Sequence, residues 1–163
     1  MKALLTALAL CLPSPALALS CMPYDAVLAY HDAAKSDDSY VVVLGDLTFD
    51  DGKLPVTDWE HQQDTPPDTL FQGTLTGHSL THDGFTAPFD RTIRINVQCF
   101  GPWCSSLTPD IDYLTFLKQT DSGYLLEVNP CGGFAFGTPS QQVTDQIAAC
   151  FRGERCVSPL SQR

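Results

Sequence analysis

The sequence predicts a mainly β fold with a helix near each end, cross-linked by disulfides. Three observations carry that expectation. Over residues 91–99, Ile93, Ile95 and Val97 alternate with Thr92, Arg94, Asn96 and Gln98, the period of a half-buried strand. Two segments, one close to each terminus, space their apolar residues as a helix does. The chain also holds 7 cysteines, and Cys11 alone lies in an apolar leader. Removing the leader leaves Cys21, Cys99, Cys104, Cys131, Cys150 and Cys156, an even set suited to an exported, disulfide-bonded protein.

The leader spans residues 1–20. Met1-Lys2 supplies a positive start, residues 3–12 are apolar, Pro13 and Pro15 break the run, and Ala16-Leu17-Ala18 offers a cut after Ala18. A cut after Ser20 also has small residues at the required offsets and would leave Cys21 first. The run is too short for the roughly 30 Å of a bilayer core, so no membrane span is expected. A lipoprotein signal usually has Leu three residues before its cysteine, where this chain has Ala18, so soluble export to the periplasm or outside the cell is favoured over lipidation. Residues 21–163 then form one domain, long enough to bury a core that the disulfides assist. Asp and Glu number 19 against 9 Lys and Arg. That balance repels nucleic acid and anionic membrane surfaces.

The elements follow in order. Residues 23–34 predict a helix, with Pro23 in the first turn and Ala26, Val27, Tyr30, Ala33 and Ala34 on one stripe; Ser36-Asp37-Asp38-Ser39 ends it. Residues 40–49 predict a strand around Val41-Val42-Val43-Leu44, turned by Asp50-Asp51-Gly52. The polar stretch 53–68, with Pro55, Pro66 and Pro67, predicts a long loop. A strand runs from 70 to 76 or beyond, with Gly73 and Gly77 as bulge or bend positions. After the strand at 91–99, residues 112–119 and 123–129 flank the turn Thr120-Asp121-Ser122-Gly123 as a hairpin. Residues 139–151 predict the last helix, with Thr138 as N-cap, Gln141 three residues on, and Gly153 as its stop. Five strands between two helices is the inventory of a small closed barrel of the OB type.

The layout also resembles a known module. An N-terminal cysteine, a short helix and a long first strand precede a cysteine-containing loop, then "DYLTFL" and "GYLLEVNPC" at residues 112–117 and 123–131. This is similar to the netrin-like module of the tissue inhibitors of metalloproteinases and their bacterial relatives. The likeness covers most of residues 21–163 in layout and is specific around Cys21 and from Cys99 to Cys131. It implies an OB-like barrel with packed helices. In those inhibitors the amine and carbonyl of the first cysteine chelate the zinc of a metalloprotease, and Cys21 matches that position. The family opens on Cys-x-Cys, whereas Pro23 stands here in place of the second cysteine.

The six cysteines admit several connectivities. Cys99 and Cys104 bracket the turn-forming Phe100-Gly101-Pro102-Trp103, and Cys150 and Cys156 bracket Gly153. Those local pairs would leave Cys21 to join Cys131. In the rival pattern, which the resemblance suggests, Cys21 joins the Cys99/Cys104 loop and Cys131 the last helix. Each bridge would contribute on the order of 3 kcal/mol. No Cys-x-x-Cys is present for thioredoxin chemistry or a zinc knuckle.

The remaining motifs point away from catalysis. His78 and His82 would share a metal on a helix, but Gly77 and Asp83-Gly84 place them on a strand and its turn. Four residues of strand span about 13 Å, too far for one ion. His31 and His61 have no partner in sequence. Residues 132–137, between a strand and a helix, lack the dinucleotide glycine spacing, and Ser79 lacks the closing glycine of a nucleophile elbow. Asp37-Asp38, Asp50-Asp51 and Asp110/Asp112 read as turn acids. No cofactor, metal or catalytic set is expected. Trp103, between two cysteines, either caps the barrel's open end or anchors a partner; Trp59, in the polar loop, either folds back on the barrel or does the same. The reading is an exported module that binds a protein or small ligand through loops near Cys21, Met22, Trp59 and Trp103. The alternative is inhibition of a secreted or periplasmic metalloprotease through Cys21.

Overall fold

Capping decides where the two helices begin. In the computed structural model, which describes residues 19–162, α1 (Ala26–Lys35) starts after Asp25, whose Oδ1 accepts from the N–H groups of Val27 at 3.0 Å and Leu28 at 2.9 Å. Pro23 therefore belongs to the lead-in and not to the helix. At the other end, α2 (Gln141–Phe151) is capped by Ser140, not by Thr138. Thr138 sits at φ 44° and gives its own N–H to the Asp112 carbonyl, so it extends the pairing with the strand at 111–120, two residues before the cap. Gly153, at φ 78°, stops α2 as expected. The expected leader lies outside the described residues up to Ala18, and Cys11 with it.

The fold is mainly β. β1 (Tyr40–Phe49) lies antiparallel between β2 (Asp68–Thr81) and β5 (Ile111–Thr120). β2 turns through His82-Asp83 into β3 (Gly84–Phe100), and β5 turns into β6 (Gly123–Asn129). β6 runs parallel to β3 over Arg94–Val97, so successive pairings from β1 through β2, β3, β6 and β5 return to β1. Three short strands complete the set: β4 (Trp103–Cys104) on β3, β7 (Gly132–Gly133) on β6 and β8 (Ala135–Gly137) on β5. Among the described residues there are eight strands where five were expected. β3 also begins earlier than the alternation shows. Its first half, in which Pro88 lies opposite His78, pairs only with β2; such an edge tolerates proline.

The glycines of β2 serve close approach and not bending. Gly77 pairs directly with Gly45, and a Cβ on either would collide with the other strand's backbone. The one register shift falls after Ser79 instead.

Two apolar clusters flank β5. Tyr113 and Leu117 pack with Val43, Leu47, Leu75, Ile95 and Val97 inside the ring of strands. Leu114 and Phe116 point the other way, against Ala29 of α1 and Ile147 of α2. Burial on both faces accounts for the unbroken buried run Tyr113–Leu117 of this strand, apolar but for Thr115. Thr115 between them is fully buried, and its hydroxyl donates to the Val43 carbonyl at 3.1 Å.

Three disulfides tie the elements: Cys99–Cys104, Cys150–Cys156 and Cys21–Cys131. These are the two local bridges and the long one; the rival pairing is not formed. Such bridges persist in oxidising compartments. Among the described residues no helix is long and apolar enough to cross a membrane.

Candidate functional site

The stretch 53–68 is less loop-like than its composition predicts. Asp50 caps a short turn at Asp51–Lys53, accepting from Gly52 N–H at 3.0 Å. The chain then runs without regular structure to Thr57, whose hydroxyl donates to the Pro102 carbonyl at 2.8 Å and lies 3.7 Å from Cys104 Sγ. Next comes a turn built by one carboxylate. Asp58 accepts from the N–H groups of Glu60 at 2.8 Å and His61 at 3.2 Å, and its second oxygen meets His61 Nδ1 at 3.0 Å. Trp59 sits at the tip of this turn and is 64% exposed. The His61 contact, followed by the two N–H groups, holds the Asp58 carboxyl below the usual aspartate range, so the turn is anionic at neutral pH.

The facing wall is the cysteine loop. Gly101, at φ 61°, turns β3 into β4, so that Trp103 lies opposite Phe100 and Cys104 opposite Cys99. The Trp103 ring packs back over Gly101 and is half-buried. The third wall is the N-terminal segment, where the Cys21–Cys131 bridge sets Cys21 beside Pro130. Cys21, Trp59 and Trp103 thus line one groove of about 580 Å³, with Pro55, Thr57 and Pro102 contributing to its walls. That volume lies within the roughly 300–1,000 Å³ of ligand sites.

Met22 does not join them. It is 84% exposed and faces a separate cleft of about 330 Å³ shared with Leu28 and Leu160. The proline and threonine contributions were missed from sequence. The clustering of Pro55 and Thr57 next to Trp59 was a weak signal, and Pro102 beside Trp103 another; nothing local announces that the two meet.

The histidines are dispersed. His78 lies on β2, His82 packs its ring 5.3 Å from that of Phe151, and His31 Nε2 meets the Cys156 carbonyl at 3.1 Å. Among the described residues no group of three His, Cys, Asp or Glu side chains is arranged to hold a metal. Residues 132–137 form β7, β8 and their link, and Phe134 packs its ring 5.1 Å from Tyr40. Compared with known protein families, curated proteins and solved structures, the chain matches none.

Proposed function

We propose that this chain is an exported binding module, built on an OB-like, netrin-like barrel, whose ligand lies between Trp59 and Trp103. The observation that carries this reading is the exposed indole of Trp59. Water-facing apolar area is unfavourable by about 25 cal/mol per Å², yet the Asp58 turn, closed by its own hydrogen bonds, carries this residue at an exposed position. An exposed tryptophan lining the same groove as a second one fits an interface hot spot. The barrel reading is supported by the cyclic strand order with one parallel pair, β3 with β6. Export is supported by the leader pattern and by three disulfides.

The chain has 2 tryptophans, so ¹⁵N labelling gives one indole N–H signal for each. Pools of short peptides and small organic fragments are screened against that pair of signals. Binders should shift both before other resonances; binders that leave both in place would refute the groove.

A second reading, inhibition of a metalloprotease through the amine and carbonyl of Cys21, is supported by the exposure of Cys21 at the groove rim. It requires a chain beginning at Cys21. Such a chain should inhibit a zinc protease such as thermolysin and lose the effect on N-terminal acetylation. Equal residual activity with and without the protein would dismiss it.

A further inference from the structure

We infer that the groove takes an uncharged, proline-rich peptide segment in the polyproline conformation; this rests on the groove reading above. The lining side chains decide the class of ligand. None of them carries a charge, although the chain has a net charge of -10. A charged side chain entering the groove would lose water and meet no counter-charge on its walls. The groove is not uniformly apolar either, and several of its polar groups are donors without a partner. Among the described residues, the indole N–H groups of Trp59 and Trp103 and the hydroxyls of Ser105 and Ser106 make no hydrogen bond within the protein. Trp103 and Ser105 are half-buried, yet these groups stay open to water. Thr57 differs, because its hydroxyl is spent on the Pro102 carbonyl.

An indole N–H can only donate, so the ligand must bring acceptors. A proline-rich segment is the complement of such walls. Each proline keeps its carbonyl and has no N–H that would need an acceptor in the groove. The polyproline helix makes no internal hydrogen bonds, which leaves every carbonyl free for the indole and serine donors. Its pyrrolidine rings are apolar and suit a groove lined by aromatic side chains. An ordinary extended peptide would bring one N–H per residue, and a sugar would bring a donor with every hydroxyl. A preformed helix also loses less freedom on binding than a flexible chain does.

Random dodecapeptides displayed on phage and panned against the oxidised protein test this, with cellohexaose as an uncharged sugar control. Selected peptides should be rich in proline and poor in charge, and should shift both indole N–H signals. Raising the salt should change their affinity by less than about twofold, since no ion pair forms. Affinity should drop about tenfold in Trp59→Ala, read on the Trp103 signal, and severalfold in Ser106→Ala, with the circular dichroism unchanged. Peptides without proline enrichment that shift both signals would overturn the proline-rich occupant and leave the groove standing. Peptides that leave both signals in place would overturn the groove as well. Failure of any peptide to enrich would overturn the peptide occupant, and cellohexaose shifting both signals would then give the groove to a sugar.

Discussion

One carboxylate presents the exposed tryptophan. Asp58 closes the turn around Trp59, and the groups facing it are the His61 ring and the N–H groups of Glu60 and His61. Its pKa is depressed by folding, so its contribution is present above the unfolded value and is lost as pH falls through the folded one. In a Trp103→Phe background, Trp59 emission should therefore hold from pH 5 down to about pH 4 and shift below it. The acid step should vanish in Asp58→Asn. A step that survives that substitution would assign it to another carboxylate. Thr57 acts beside it, since its bond to the Pro102 carbonyl joins the two walls across 45 residues of chain. This bond is why the residues of the site were legible while their meeting was not: Trp59, Trp103 and Cys21 stand out by type, but no local pattern encodes a contact between two irregular segments.

Among the elements, β1 and β2 are joined where neither has a side chain. Gly45 faces Gly77, and an added Cβ meets the opposing backbone. Gly77→Ala should cost more than about 2 kcal/mol in denaturant unfolding, with Gly45→Ala similar. A loss within about 0.5 kcal/mol at both positions would refute the close approach. The helix caps are unequal. Asp25 makes two short cap bonds to α1 and accepts from the Ser158 hydroxyl with its other oxygen, whereas Ser140 caps α2 through one bond of 3.4 Å. Asp25→Ala should lose about 2 kcal/mol and Ser140→Ala about 0.5 kcal/mol by the same measurement.

Period and turn chemistry, where strong, made elements readable. The alternation of residues 91–99, the hairpin at Thr120–Gly123 and both helices were evident because each pattern is local. The first half of β3 was hidden because Pro88 and a polar run blur its alternation, and only pairing to β2 makes it a strand. β4, β7 and β8 are too short to carry a period at all.

At the scale of the whole molecule, the disulfides divide by the loops they close. Cys150–Cys156 spans a separation of 6 residues, and Cys21–Cys131 one of 110. Chain entropy then ranks them. Replacing both cysteines of the long bridge by serine should lose about 4–5 kcal/mol, against about 2 kcal/mol for the short pair. Equal losses would mean that the unfolded chain is not what the long bridge restrains. The same long bridge carries Cys21 to the groove, so its removal should also weaken any ligand held there. Parity of the cysteines announced this cross-linking from sequence, and the brackets around two turns suggested the local pairs. The surface that uses them became visible only once β3, the 53–68 stretch and the N-terminal segment were set side by side.

A crystal structure of the oxidised protein with a bound peptide taken from the indole-signal screen tests the groove most directly. The peptide should run between Trp59 and Trp103. A peptide seated elsewhere, for instance in the cleft beside Met22 and Leu160, would contradict it.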